Sequence, residues 1–317
     1  MHARVAVGIA AIDLYYEMIG PQHAERRVLM IMGFTSTGTQ WLQTAKQLAE
    51  LGYQCCIFDN RGVGESSQPT KPLYTTKMMA QDTLQLLQHL GWNENIYVIA
   101  CSMGGFIAQE LILKAPANTF TGVVLTSTAF GPPLSIPPLK TLLQLVSHKK
   151  GSESSAHVRA QVTASIMVPD AWANEPVAPH LAGEGAVTNR DGIAKLLEYE
   201  AKTKPAQTRA GYRGQFNAIV WHHCPPRRLR KLGERSCFLV LAGAEDRILR
   251  PINAAIIGKH LKCQYHIYPN RGHALHLEMG PEFIKVVTDH FDACANNAKD
   301  FRSVRDSAII PGSSSVN

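Results

Sequence analysis

Apolar residues in this chain fall into short solid runs set between amphipathic stretches. Val28–Ile31, Gln54–Phe58, Ile96–Ala100, Gly122–Thr126 and Cys237–Gly243 are each apolar over a strand's length. Runs of about four to eight apolar residues between turn signals read as strands buried on both faces, as in a parallel sheet. Between them, apolar residues recur at helical spacing, as over Ala80–Leu90 and Phe106–Leu113. The alternation predicts βαβ units over residues 1–130. Val5–Ile9 and Ile12–Met18 are both strand-like and predict an N-terminal hairpin rather than a targeting segment. Gln264–Tyr268 alternates like a strand, and Leu275–Phe291 reads as a closing helix.

The pattern changes near Gly131. Pro132, Pro133, Pro137 and Pro138 break it, and from 131 to 230 strand signals vanish while Lys, Ser, His and Ala rise. This predicts a largely helical cap inserted over the C-terminal edge of the sheet. Residues 231–293 return to the strand–helix core. After Ala293 the chain turns polar and closes on Pro311-Gly312-Ser313-Ser314-Ser315, so 294–317 reads as a disordered tail. The expected fold is α/β: a mostly parallel central sheet, helices on its flanks, and an inserted helical cap.

The candidate chemistry starts at Val98-Ile99-Ala100-Cys101-Ser102-Met103-Gly104-Gly105-Phe106. A buried strand runs into small-x-Ser-x-Gly and out into a helix, the pattern of a nucleophile elbow. Such a turn strains the serine backbone and presses strand against helix, so its neighbours must be small, as Ala100, Gly104 and Gly105 are. It points the Ser102 hydroxyl out of the sheet edge and puts the Met103 N–H at a helix N-terminus, where developing negative charge is stabilised. Downstream, Asp246 follows the strand that ends at Gly243, and His273 sits in the loop after Gln264–Tyr268. Ser102, Asp246, His273 is the order in which this type of fold supplies nucleophile, acid and base. Glu245 competes with Asp246, His276 and the pair His222-His223 compete with His273, and Cys101 competes with Ser102.

On these residues the chain resembles the α/β-hydrolases, specifically cap-bearing serine hydrolases, over roughly residues 5–292. Met32-Gly33-Phe34 resembles the family's His-Gly oxyanion loop, and Asp59-Asn60-Arg61-Gly62-Val63-Gly64-Glu65-Ser66 its Asp-x-Arg-Gly-x-Gly-x-Ser turn. More narrowly, the Asp-Asn-Arg-Gly turn together with Gly211-Tyr212-Arg213-Gly214-Gln215 resembles poorly characterised plant and protist members. The resemblance implies an oxyanion hole from the backbone N–H groups of Phe34 and Met103. Met32 stands where histidine is common and Ala100 where glycine is common. Backbone donors do not depend on side-chain identity, so the lost histidine weakens the bracing of the loop rather than the chemistry. Asp59 and Arg61 are expected to tie down their turn.

Composition narrows the field. The chain has 317 residues, 45% hydrophobic and 18% charged, as in a soluble globular protein. No apolar run approaches the roughly 20 residues that span a membrane. Seven cysteines lie among apolar neighbours without Cys-x-x-Cys spacing. They read as free thiols in a reducing compartment, and the expected location is the cytoplasm. No cofactor or metal is expected. The net charge is +7, densest at Arg227, Arg228, Arg230 and Lys231. That cluster reads as a solvated helix face, and no nucleic-acid module is present.

The expected activity is hydrolysis of a carboxylic ester or related acyl bond of a small apolar substrate through an acyl-enzyme. Serine at the elbow argues against epoxide hydrolases and haloalkane dehalogenases, which carry aspartate there. Peptidase, amidase and carbon–carbon hydrolase chemistry remain open, as does a ligand-binding protein without turnover. Trp172, Tyr199, Tyr212 and Trp221 are candidate walls of an apolar pocket.

Overall fold

The computed structural model describes residues 1–7, 10–70, 74–135, 137–138, 141 and 156–307. Eight strands form one sheet: β1 (His2–Val7), β2 (Ala10–Ile19), β3 (Arg27–Ile31), β4 (Gln54–Phe58), β5 (Ile96–Cys101), β6 (Phe120–Thr126), β7 (Cys237–Gly243) and β8 (Gln264–Tyr268). Their order is β1-β2-β4-β3-β5-β6-β7-β8. β1 and β2 form the antiparallel N-terminal hairpin, with Val5 opposite Ile12, and β2 runs antiparallel to β4. All later pairs are parallel.

The solid apolar runs feed two cores at once, because successive side chains on a strand point to opposite faces. On β5, Ile96, Val98 and Ala100 enter one core and Tyr97, Ile99 and Cys101 the other. The first core is closed by α2 (Thr76–His89) and α3 (Met103–Lys114) through Met79, Leu86, Ile107 and Leu111. The second is closed by α1 (Leu42–Glu50) and the final helix through Ala45, Leu48, Phe283, Val287 and Phe291.

Between β6 and β7 the described chain is helical: α4 (Ala156–Met167), α5 (Asp170–Ala173), α6 (Asn189–Thr203), α7 (Arg209–Val220) and α8 (Pro226–Gly233). Residues 136, 139–140 and 142–155 of this stretch lie outside the described residues. Thr188 starts α6 with a capping box to Asp191, and Thr208 caps α7 by accepting from Gly211. α8 buries Leu229 and Leu232 and leaves Arg227, Arg230 and Lys231 exposed. Arg228 instead forks onto Glu110 of α3, with both contacts at 2.8 Å.

α9 (Ile252–Leu261) links β7 to β8. The closing helix is two helices, α10 (Leu275–Glu278) and α11 (Pro281–Ser307), rather than one. Gly280 at φ +50 and Pro281 make the break, since neither continues a helix. α11 carries on through 294–307, a stretch that the polar composition made look like tail. Loss of apolar residues is not a stop signal, and this stretch has neither Gly nor Pro. Residues 308–317 of the expected tail lie outside the described residues. Among the described residues, no helix is long and apolar enough to cross a membrane.

Candidate active site

β5 ends in Cys101, and Ser102 turns the chain into α3 at φ 56, ψ −123. A non-glycine residue in such a region costs on the order of 1–3 kcal/mol and persists only where its surroundings over-determine it. They do so here. Ser102 N–H donates to Thr126 O at 3.0 Å, and Ser102 O accepts from Gly105 N–H at 2.9 Å and Thr128 Oγ1 at 2.8 Å. The first turn of α3 presses on the end of β3, so that a Cβ on Gly104 would lie 2.2 Å from Ile31 O. Met103 is the first residue of α3, whose leading N–H groups have no intrahelical partner.

The loop after β3 approaches the same serine. A Cβ on Gly33 would lie 3.4 Å from Ser102 Oγ. Phe34 follows, and Thr35 then takes φ 62, an outlier for a β-branched residue. Met32 is buried and its carbonyl accepts from Asn60 Nδ2 at 2.9 Å. Asp59 accepts from Gly38 N–H at 2.8 Å and Glu65 N–H at 2.9 Å. Glu200 of α6 accepts from Thr37 N–H and Oγ1 and from Gln40 Nε2. Arg61 forks onto buried Asp82.

The Gly-Tyr-x-Gly-Gln segment has a definite place in this bracing. Gln215, fully buried on α7, accepts from Thr35 N–H at 2.9 Å through Oε1 and donates to Arg61 O at 2.9 Å through Nε2. Gly211 and Gly214 let α7 come close enough. A Cβ on the first would lie 2.3 Å from Gly62 O, and on the second 2.4 Å from the Tyr74 ring. Tyr212 meets the Phe34 ring at 4.9 Å between centroids. Gln215→Ala leaves Thr35 N–H and Arg61 O unpaired, a cost of about 1–3 kcal/mol per buried group. The expected result is a fall in kcat of about tenfold or more with KM less affected. Steady-state kinetics on an activated ester checks it, and unchanged kcat means the loop holds without this bond.

Asp246 follows β7. Its Oδ1 accepts from the N–H groups of Ile248 at 2.8 Å and Leu249 at 2.9 Å, and Oδ2 lies 2.8 Å from His273 Nδ1. A carboxylate that accepts here fixes the proton on Nδ1 and leaves the Nε2 lone pair free. The side chains are 1% and 8% exposed respectively. The His273 loop is anchored at three consecutive N–H groups. Glu278 accepts from Gly272 at 2.6 Å and Ala274 at 3.1 Å, and Met167 O accepts from His273 at 2.7 Å. β5, β6, β7 and β8 are neighbours in that order, so the loops carrying Ser102, Asp246 and His273 emerge together at the C-terminal sheet edge.

The competing residues are placed differently. Glu245 is exposed. Cys101 is buried with its thiol pushed up to about 12. His276 packs on Trp41 at 4.5 Å, has no partner on either ring nitrogen among the described residues, and is pushed down to about 3 by burial. His222 lies against Phe106, between Thr76 Oγ1 at 3.0 Å and Gln109 Oε1 at 3.2 Å. A cavity of about 300 Å³ adjoins this region, lined by Gln40, Leu181, Leu196, Tyr199, His276 and Leu277 among others. It includes neither Ser102 nor His273, but its His276–Leu277 wall begins three residues past His273. Of the four aromatic candidates, Tyr199 lines it and Tyr212 reaches Phe34. Trp172 packs in a separate apolar cluster with Val168, Ile193 and Leu277. Trp221 is 75% exposed, because it caps the C-terminus of α7 beyond the buried face of that helix.

Four buried groups set a pH signature. His222 and His276 are pushed from 6.5 down to about 3 by burial. Each adds stability above 6.5 that is lost as pH falls toward 3. Burial pushes Glu278 from 4.5 up to about 7 and Asp59 from 3.8 up to about 6. Each adds stability below its unfolded value that is lost as pH rises toward the folded one. The two pairs oppose each other between roughly pH 4.5 and 6, so the acid loss from these four groups is concentrated below about 4.5. Glu278→Gln removes one opposing group, and its stability is expected to fall more steeply than the parent's as pH drops from about 7 to 4.5. Urea midpoints from pH 4 to 7 test this, and parallel curves for the two proteins contradict it.

The profile of the family described as serine aminopeptidase, S33, matches residues 22–280. The chain belongs to that family. The S33 match spans β3 through α10 and takes in Ser102, Asp246 and His273. Among curated relatives, a Mycobacterium tuberculosis protein named "Putative non-heme bromoperoxidase BpoC" is 36% identical over 102 residues, 32% of this chain and 37% of that protein. The chain therefore aligns with under half the length of that relative. Lipase 1 of Psychrobacter immobilis is 26% identical over 281 residues, 87% of this chain and 77% of the lipase. Among solved structures, a thermophilic esterase from Thermogutta terrifontis superposes with a TM-score of 0.72 at 18% identity, covering 93% of this chain and 99% of the esterase. The fold of this S33 member is that of the α/β-hydrolases.

Proposed function

We propose that this protein hydrolyses a carboxylic ester or related acyl bond of a small apolar substrate, with Ser102 as nucleophile, His273 as base and Asp246 as the acid that orients it. One observation carries the reading: a strained serine turn shares a sheet edge with a buried His–Asp pair at 2.8 Å whose second carboxylate oxygen is held by two backbone N–H groups. In this mechanism Ser102 Oγ attacks the acyl carbon while its proton passes to His273 Nε2. The oxyanion sits on the N–H groups of Phe34 and Met103. His273 returns the proton to the leaving group, and water, with His273 again as base, releases the acid. Asp246 stabilises the imidazolium throughout without taking its proton. The described helices α4 to α8 act as a cap over this edge, and the neighbouring cavity, with walls at Leu181, Leu196 and Leu277, takes the apolar part of the substrate.

The test is labelling with a fluorophosphonate, followed by peptide mapping. A single adduct on Ser102 is expected, because the elbow gives that serine both a base and an oxyanion site. An adduct on another serine, or none on folded protein, removes the covalent mechanism. A series of p-nitrophenyl esters set against aminoacyl p-nitroanilides then separates ester from amide preference.

A further inference from the structure

At the far end of the sheet the fold gathers three soft ligands that no sequence spacing brings together. Cys237 opens β7, and His290 and Cys294 stand one turn apart on α11, which lies across β6 and β7. Their ligand atoms, one from each residue, all lie within 4.8 Å of one another, and among the described residues this is the cluster of that kind. Cys294 Sγ lies 3.4 Å from His290 Nε2 and 3.8 Å from Nδ1. A zinc ion with bonds of about 2.3 Å to sulfur and about 2.0–2.1 Å to nitrogen in a tetrahedral array has an S···N edge of about 3.5 Å, which His290 meets at Nε2 once its ring turns that lone pair from the present face-on contact toward the sulfurs. The third corner is also close, since the Cys237 sulfur lies within 4.8 Å of the other two ligand atoms.

The surroundings suit a held ion. Cys294 is buried, while Cys237 and His290 are half-buried, which leaves one side open for a fourth ligand. Gly122, paired with Cys237 in the β6–β7 register, makes room for the buried sulfur, since a Cβ there would lie 3.2 Å from Cys294 Sγ.

We propose that Cys237, His290 and Cys294 bind a thiophilic divalent cation, Zn²⁺ in preference to Mg²⁺ or Ca²⁺, with water at the fourth position. Two thiolates and an imidazole are a donor set for zinc and not for the oxygen-seeking cations. Binding releases two thiol protons, forms two Zn–S bonds and one Zn–N bond, and changes no oxidation state. The site clasps α11 to β7 at the sheet edge opposite Ser102, so its role is to hold the C-terminal helix rather than to act on substrate.

The test is an anaerobic titration of the reduced full-length protein with Co²⁺, read by sulfur-to-cobalt charge transfer in the near ultraviolet and tetrahedral ligand-field bands in the visible. One equivalent is expected to bind, Zn²⁺ to displace it, two protons to be released, and Tm to rise with added Zn²⁺. Cys237→Ser, His290→Gln and Cys294→Ser each lose more than about 100-fold in affinity, beyond the cost of an outer-shell change, while Cys263→Ser binds like the parent. Cys237→Ser keeps the test open should the buried Cys294→Ser fold poorly. Absence of a saturable band overturns the proposal, as does equal affinity in Cys237→Ser. Conversion of the parent to a Cys237–Cys294 disulfide without bound metal overturns it as well.

Discussion

Ser102→Ala is expected to abolish turnover of activated esters, with a loss of about 10⁶-fold in kcat, the scale seen when a triad nucleophile is removed. The fold is expected to survive. The Ser102 contacts that hold the elbow are backbone ones, to Thr126 O, Gly105 N and Thr128 Oγ1, and alanine keeps all three. Thermal unfolding of the variant therefore stays within a few degrees of the parent while fluorophosphonate labelling disappears. If most of the activity remains, no acyl-enzyme forms on Ser102 and the covalent mechanism falls.

Asp246→Asn carries the second large effect. Oδ1 is fixed by the N–H groups of Ile248 and Leu249, so the amide oxygen of asparagine stays there and its NH₂ group faces His273. An N–H donor at that position favours the ring tautomer with its proton on Nε2, which cannot accept from Ser102. The expected loss is about 10⁴-fold in kcat with little change in geometry. Glu245→Gln, at an exposed position, is expected to stay near the parent value. A mild Asp246→Asn beside a crippling Glu245→Gln places the acid one residue earlier.

The elements legible in the sequence were those whose cause is local. The buried strands declared themselves as apolar runs, and the elbow as small residues around a serine between strand and helix. Asp246 was preferred in sequence with Glu245 still a rival, because which one turns inward depends on the β7 turn and on β8. Leu275–Phe291 looked continuous because its apolar spacing carries across the break at Gly280-Pro281. Gln215 stood out as part of a motif but without a task, since its partner Thr35 lies 180 residues away. Glu278 gave no signal at all: its bonds to Gly272 and Ala274 exist only because α10 folds back on the loop. The Cys237, His290 and Cys294 cluster escaped for the same reason, because spacing rules look along one segment and these ligands come from a strand and a helix.

The bond from Gln215 to the backbone of Thr35 bears on how such proteins can be recombined. Substrate preference in a two-part enzyme is often sought by transplanting the part that covers the entrance onto another core. Here α7 carries one half of a matched joint whose other half is the Phe34–Thr35 bend and the Arg61 carbonyl. A foreign segment without a glutamine at that point, and without glycines facing Gly62 and Tyr74, would leave the recipient's loop slack. Such a graft would import a new entrance and lose rate at the same stroke, so α7 and the bend after β3 are best moved as one piece.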